Sequence, residues 1–208
     1  MKKKFSLKAI TLVELVVAIS LLGMIMLTAA TIELSMRKIN LTTDLKVLLM
    51  NDLVYVKERI KRELLFATGD ANTTPPTVPF LWNNTACPSG DRWLRIRIDS
   101  NLDAVWSAAN DRISEFYWSG GATSCAQRPN GCSNQYDLCF YNDIADRNNV
   151  EIVAANISLF ETGILGDGRR ISIRVMKRKD PNAAINSITN PEMGVLFGIS
   201  ARQCPPLN

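Results

Sequence analysis

Residues 10–32 read ITLVELVVAISLLGMIMLTAATI and contain a single charged side chain, Glu14. A helix of about 20 apolar residues crosses the roughly 30 Å hydrocarbon core of a bilayer, so this stretch is long enough to span one. Four lysines and no acid precede it within residues 1–9, MKKKFSLKA. Because such positive charge stays on the cytoplasmic side, the pattern predicts a single-pass inner-membrane protein with a cytoplasmic N-terminus and a periplasmic or extracellular remainder.

The remainder of the chain is electrically balanced. Of the 24 Lys and Arg, four lie in residues 1–9, which leaves 20 against 20 Asp and Glu. The net charge of +4 therefore belongs to a targeting segment, and no nucleic-acid partner is expected. Arg169-Arg170 and Lys177-Arg178-Lys179 are short charge runs that are expected on solvated faces. The chain has no histidine, which excludes Ser-His-Asp and Cys-His catalysis and His-ligated metals, so we expect neither enzymatic activity nor a cofactor.

Two ordinary interpretations of the apolar stretch leave Glu14 unexplained. A secretory signal peptide cleaved near Thr28-Ala29-Ala30 would have an apolar region of about 7–15 residues, and this one is longer. A plain uncleaved anchor has no use for a carboxylate that costs at least about 2.5 kcal/mol deep in a membrane.

The stretch from Lys8 to Leu15, KAITLVEL, resembles the cleavage and methylation signal of type IV prepilins. The resemblance implies that a prepilin peptidase cuts between Ala9 and Ile10 and that Ile10 becomes an N-methylated N-terminus. Glu14 then falls on the fifth mature position, where the family has glutamate. Gly23 also lies where many members have a glycine. Two residues depart from the family pattern, since glycine is usual in place of Ala9 and phenylalanine or methionine in place of Ile10.

A physical role for Glu14 follows from this processing. Cleavage would leave an α-amino cation at Ile10, about 6 Å along the helix from Glu14 at 1.5 Å per residue. The amine of a neighbouring subunit could approach the same carboxylate after a small axial offset. Because pairing reduces the cost of a charge in hydrocarbon, we expect Glu14 to recruit and register subunits within a filament.

The helix is expected to continue beyond the membrane. Residues 33–68 contain no Pro or Gly, and Gly69, Pro75 and Pro76 mark a stop. The pattern predicts one helix from Ile10 to about Phe66, roughly 85 Å long. Its second part, 33–68, carries an apolar stripe with helical spacing that should pack beneath a head, formed by Leu41, Leu45, Leu48, Leu49, Leu53, Val56, Ile60 and Leu64.

Residues 69–208 are predicted to form an extracytoplasmic, β-rich head. A Pro, Asn and Thr-rich connection, 70–90, is followed by short segments with strand character. The fold class is therefore α+β, with a long N-terminal helix packed on about six or seven mostly antiparallel strands. The segments are 93–99, 113–119, 136–141, 150–154, 157–160, 170–178 and 194–201.

Five cysteines lie in this head, in the compartment where disulfides form: Cys87, Cys125, Cys132, Cys139 and Cys204. Their spacing does not match the paired CxxC motifs of zinc sites. We expect disulfides that staple the loop 120–141, with Cys125 paired to Cys132 or Cys139. Cys87 or Cys204 would then tie a more distant segment.

Two further sets of side chains suggest binding sites. Asp143 and Asp146 lie in an oxygen-rich loop that could hold calcium, but the spacing lacks the alternating acids of a known loop, and a plain turn is favoured. Five aromatic residues could stack on sugars, although packing is their default role: Trp82, Trp93, Trp106, Tyr117 and Trp118.

The resemblance implies a structural subunit, either a minor pilin of a type IV pilus or a minor pseudopilin of a type II secretion system. Its general pattern is most similar to the larger W/J-type subunits, which implies a position at or near the tip and a part in initiating assembly. The implied partners are other pilin or pseudopilin subunits, the prepilin peptidase and the inner-membrane assembly platform. The alternative is a tip-located binding module, meaning an adhesin or a DNA-uptake subunit.

Overall fold

A computed structural model describes residues 11–68, 79–83, 92–101, 107, 109–118, 120, 132, 134–146, 148–165 and 170–200 of the chain. Within these ranges one helix is followed by eight strands, which confirms the α+β class. The elements are α1 (Leu12–Leu64), β1 (Phe80–Asn83), β2 (Arg92–Ile98), β3 (Arg112–Trp118), β4 (Leu138–Tyr141), β5 (Val150–Ala154), β6 (Ile157–Leu165), β7 (Arg170–Arg178) and β8 (Glu192–Ser200).

The chain divides into two compact units, Met1–Thr43 and Asp44–Asn208, and α1 contributes residues to both. The proposed leader, 1–9, and Ile10 lie outside the described residues. The helix ends at Leu64, slightly before the predicted Phe66. The reason is a long-range contact, because the amide of Thr68 donates to the carbonyl of Arg97 at 2.9 Å and draws the chain onto β2.

The first five strands form an antiparallel sheet in the order β1-β2-β3-β4-β5. Strand β1 lies within the connection 70–90, where no strand was predicted. Its Phe80 is the register partner of Ile96 in β2 and is fully buried. Because pairing with a neighbour creates this short strand, local periodicity gave no sign of it.

The last three strands form a second antiparallel sheet in the order β6-β7-β8, so the head contains two sheets. Buried and more exposed residues alternate along β7, since Ile171, Ile173 and Val175 are buried and Arg174 is exposed. Strand β6 lies next to β1 and β2, and both sheets contribute to one apolar core.

The helix enters this core with only part of its predicted stripe. Leu53, Val56, Ile60 and Leu64 are fully buried against residues of both sheets, and Leu49 is nearly so. Leu41 and Leu48 remain 66% and 62% exposed, so their assignment to the packed stripe was wrong. Leu48 lies about 100° from Leu49 around the helix axis, so it is at the edge of the apolar stripe. The head does not cover the side of the helix on which Leu48 lies.

A second, smaller cluster lies on the other face of the five-stranded sheet. Tyr117, Cys132, Cys139 and Tyr141 are buried together there, with Trp93 and Val150 packed against them. Successive residues of a strand point to opposite faces, so Phe116 and Trp118 belong to the main core while Tyr117 lies between them in the second cluster. Strand β3 is consequently covered on both faces.

Candidate assembly surface

The first unit presents an apolar surface that the chain itself does not cover. Every residue from Thr11 to Leu41 is exposed. An 18-residue window of α1 reaches a mean hydropathy of 2.4 with no buried residue, so the helix is long and apolar enough to cross a membrane. Monomeric soluble proteins rarely expose so large an apolar patch, and patches of this size are typical of surfaces that contact lipid or other protein.

The few hydroxyl groups of this surface are satisfied within the helix. Ser20 donates to the carbonyl of Val16 at 2.8 Å, and Thr28 donates to the carbonyl of Ile25 at the same distance. Thr31 and Ser35 make the same kind of bond one helical turn back. A polar group inside a bilayer must find its partner within the protein, so these bonds make the segment compatible with hydrocarbon.

Glu14 closes the N-terminal turn of α1. The amide and the hydroxyl of Thr11 each donate to Oε2 of Glu14 at 2.9 Å. In return, the amide of Glu14 donates to the Thr11 hydroxyl at 3.3 Å. This reciprocal arrangement is a capping box, with Thr11 as N-cap and Glu14 three residues later. It also places the negative charge at the positive end of the helix dipole.

The capping role of Thr11 was missed at the level of sequence, although its signal is present. Thr11-Leu12-Val13-Glu14 matches the pattern of Ser or Thr followed three residues later by an acid, just before an apolar run.

Gly23 has no comparable explanation within the chain, because a Cβ atom added there would meet nothing within 4 Å.

In the second unit, a partly buried ionic network joins residues 55–63 of α1 to β5. Arg59 forms ion pairs with Glu63 on the helix and with Glu151 on β5, the latter at 3.0 Å. Its guanidinium lies 4.0 Å from the centre of the Phe140 ring. Tyr55 donates a hydrogen bond of 3.0 Å to Glu151. The network orients this part of the helix, because charged hydrogen bonds specify geometry that apolar packing leaves loose.

The network shifts the ionisation of its members. Burial by itself would raise the pKa of Glu151, but the hydrogen bonds from Arg59 and Tyr55 bring the pKa below its ordinary value of 4.5. The same bond to Glu151 raises the pKa of the Tyr55 hydroxyl. Both groups therefore keep their ordinary charge at neutral pH more firmly than isolated side chains would.

A second ion pair joins α1 to β7. Lys177 donates to Asp52 at 2.6 Å and is buried, and Arg178 forms an ion pair of 2.5 Å with Glu192 on β8. The expectation of a solvated face is therefore wrong for Lys177, which is buried, and Arg178 is only partly exposed, whereas Arg170 and Lys179 are exposed as expected. Sequence gives no signal for these pairs, because their partners are brought near only when the sheets and helix pack.

One disulfide lies among the described residues, between Cys132 and Cys139, with a Cα–Cα distance of 6.0 Å. The expected pairing of Cys125 with one of these two cysteines is therefore wrong. The short loop closes on itself because Gln135 and Tyr136 form a turn that returns the chain to β4. Cys87, Cys125 and Cys204 lie outside the described residues.

The suggested calcium loop consists of two turns. Asp143 accepts a hydrogen bond of 2.9 Å from the amide of Ala145, and Asp146 accepts one of 3.3 Å from the amide of Asn148. Short bonds of this kind are typical of Asx turns. Within the described part of the chain, no group of three or more His, Cys, Asp or Glu residues is placed to hold a metal ion.

Most of the suggested sugar-stacking aromatics belong to the interior. Trp118 is buried and donates its indole N–H to the carbonyl of Ile157 at 3.0 Å. Tyr117 is buried as well, and Trp93 is partly covered. Trp82 is exposed on β1, whereas Trp106 lies outside the described residues. Packing therefore explains Tyr117 and Trp118, which are unavailable for stacking on a ligand.

Comparison with known proteins gives no match to this chain, whether the comparison is with protein-family models, curated proteins or solved structures. A proposal for function therefore depends on the chain's own residues.

Proposed function

We propose that this chain is a minor subunit of a filament of the type IV pilin class, either in a type IV pilus or in a type II secretion pseudopilus. Residues 1–9 are a cytoplasmic leader, and the apolar half of α1 is held in the inner membrane before it enters the filament. The head then faces the periplasm or the exterior. The subunit takes a place at or near the tip and helps to initiate assembly.

The observation that carries this proposal is the lone carboxylate of Glu14 at the start of a fully exposed apolar helix. Between Leu15 and Ile32 the chain has no other charge, and every residue of this stretch is exposed in the part of the chain that the structure describes. A surface this apolar is covered by lipid while the subunit is held in the membrane. It is covered by the helices of neighbouring subunits once the subunit has entered the filament. An anchor alone needs the apolar residues but not the acid, whereas a filament subunit has use for both.

The capping box supports a shared role for the carboxylate. The Thr11 amide lies 2.9 Å from Oε2 of Glu14, so the carboxylate sits one residue from the amine that cleavage after Ala9 would create at Ile10. That amine and the amine of a neighbouring subunit can both approach it. Moving the amine of a second subunit to this position neutralises a charge in the filament core and fixes the axial register of two helices.

The N-terminus of the mature protein tests the processing step. We expect Edman degradation or mass spectrometry of the protein from membranes to give N-methylated Ile10. An N-terminus at Thr31 would show a secreted, signal-cleaved domain, and a retained Met1 leader would show a plain anchor. Either of these results would overturn the proposal.

Replacement of Glu14 tests the assembly step, and Thr11 provides a matched control. Glu14→Ala and Thr11→Ala both break the capping box, at a cost of about 1 kcal/mol of helix stability, but only Glu14→Ala removes the charge. We expect both variants to insert in the membrane and only Thr11→Ala to co-purify with the filament machinery. Normal co-purification of Glu14→Ala would remove the basis of the proposal.

The second candidate, a tip-located binding module, is favoured by one polar cleft on the head. Asn134, Tyr136, Asn156 and Asn182 line it, and the Tyr136 hydroxyl donates to the Asn182 side chain at 2.9 Å. Amides around an aromatic ring offer both donors and acceptors to a neutral polar ligand such as a sugar. Loss of glycan binding by Tyr136→Ala, with filaments still made, would favour this function; unchanged binding would argue against it.

A further inference from the structure

Strand β8 is the outer strand of the three-stranded sheet. Strand β7 pairs with one side of β8 along its whole length, from Glu192 to Ser200. In the part of the chain that the structure describes, no strand pairs with its other side. The opposite edge of this sheet differs, because β6 lies beside β1 and β2. A free edge presents a row of backbone N–H and C=O groups that another strand can pair with.

The core beneath β8 is incompletely covered. The inward side chains of the neighbouring strand, Ile171, Ile173 and Val175, are fully buried. The inward side chains of β8 pack against the same core but remain partly exposed, and they are Met193, Val195, Phe197 and Ile199. A further strand beside β8 would remove part of this apolar surface from water, which favours pairing.

Strand β8 carries little of the usual protection of a sheet edge, because its one charged residue, Glu192, lies at its start and is paired with Arg178. Natural edge strands carry charges or proline that discourage pairing with other chains, yet residues 193–200 contain neither.

The sequence of β8, EMGVLFGIS, has a palindromic pattern of residue types about Leu196. Antiparallel pairing with an identical strand centred there places Leu196 opposite Leu196, Gly194 opposite Gly198, and Val195 opposite Phe197. Met193 then faces Ile199, and Glu192 faces Ser200. The three pairs flanking Leu196 join glycine to glycine or one apolar residue to another, the terminal pair joins Glu192 to Ser200, and no like charges meet. A two-fold interface requires such self-complementarity, since each patch must fit its own copy.

We infer that β8 is a homotypic docking edge, which pairs antiparallel with β8 of a second copy of this chain about a two-fold axis at Leu196. The two sheets of order β6-β7-β8 then become one continuous six-stranded sheet. Leu196, which is 73% exposed on the outer face, becomes a cross-strand pair with its counterpart. This inference concerns the head alone and does not depend on the processing of Ile10 or on Glu14.

Site-directed cross-linking of the full chain in native membranes tests the geometry. Cα atoms of directly opposed residues in an antiparallel pair lie about 4.5–5.5 Å apart, within disulfide range. Under mild oxidation we expect Leu196→Cys to give a covalent homodimer in excess of the wild-type background. The matched control is Arg174→Cys, which is the register partner of Leu196 on β7 and is also exposed, but lies about 14 Å from its counterpart across three strand spacings.

Charge exchange at the same position tests the energetics. Leu196→Lys and Leu196→Glu should each weaken self-association roughly tenfold, because like charges then meet at the axis and apolar contact is lost. A mixture of the two variants should restore it. Unchanged circular dichroism checks that the exposed substitution leaves the fold intact.

Three outcomes would overturn the inference. Leu196→Cys could cross-link no better than Arg174→Cys, or it could capture a different protein in place of a second copy. Alternatively, the Leu196→Lys variant could self-associate as the wild type does. None of these results bears on Glu14, so the assembly proposal can fail or stand separately.

Discussion

Glu151 shows how one side chain couples the helix to the sheet. Its carboxylate accepts hydrogen bonds from Tyr55 and Arg59, which belong to successive turns of α1. Because these bonds hold the folded-state pKa below the ordinary value, ionised Glu151 stabilises the fold. This contribution is present above the unfolded-state pKa and is lost as the pH falls through the folded-state pKa.

We therefore predict that Glu151→Gln lowers the free energy of unfolding at pH 7 by about 1 kcal/mol or less, since the side chain is 41% exposed and solvent screens it. The difference between variant and wild type should vanish below the folded-state pKa, where wild-type Glu151 is protonated too. Urea unfolding at a series of pH values measures both quantities. A difference that persists unchanged at low pH would contradict the electrostatic explanation.

At the scale of elements, α1 contains two Glu–Arg pairs with the same four-residue spacing but opposite environments. Glu33 and Arg37 are both mostly exposed, whereas Arg59 and Glu63 have side chains 9% and 8% exposed. The first pair gains little, because water solvates both charges almost equally well when they separate. The second pair must remain paired, because an uncompensated charge in the interior is costly.

We expect Arg59→Ala to destabilise the head by about 3 kcal/mol, since it leaves Glu63 buried with only Arg112 at 3.8 Å. Arg37→Ala, the matched control, should cost about 0.5 kcal/mol or less. Chemical denaturation of both variants gives the comparison. The double variant Arg59→Met with Glu63→Met should recover much of the loss, and equal costs for the two single variants would contradict the role of burial.

The short loop before β4 supplies a second prediction at this scale. Cys132 and Cys139 join positions seven residues apart, and closing so short a loop is worth about 2 kcal/mol in the chain-entropy description. Cys132→Ser with Cys139→Ser should lower the free energy of unfolding by about that amount. Reducing agent should lower wild-type stability similarly while leaving the double variant unchanged. If reducing agent destabilised the wild type and the double variant equally, the loss of stability would come from other cysteines.

The whole molecule combines an apolar helical unit with a head that has its own core. The division falls between Thr43 and Asp44, and all buried residues of α1 follow it, beginning with Leu49. Everything needed for the two-sheet core therefore lies in the second unit. The apolar surface that needs lipid or neighbouring helices lies in the first.

A fragment that starts at Asp44 is accordingly expected to fold and to remain soluble without detergent. A fragment that starts at Lys57 lacks Leu49, Leu53 and Val56. Because each large apolar side chain lost from a core costs about 2–5 kcal/mol of stability, we expect this shorter fragment not to fold. Circular dichroism and thermal melting distinguish the two. Failure of the longer fragment to fold would mean that residues before Asp44 contribute to the head's core.

Local periodicity determined much of this protein. The apolar run, its single acid, the continuous helix and seven of the eight strands follow from spacings within about ten residues, which sequence records directly. The position of Glu14 was evident for the same reason, and its capping partner Thr11 was equally readable.

Only the tertiary structure decided which of these elements meet. It created β1 by pairing Phe80 with Ile96, divided the strands into two sheets, paired Cys132 with Cys139 and buried Lys177 against Asp52. It also left Leu41 and Leu48 outside the core. Each outcome depends on residues far apart in the chain, and periodicity reports which face of an element is apolar but not what will cover it.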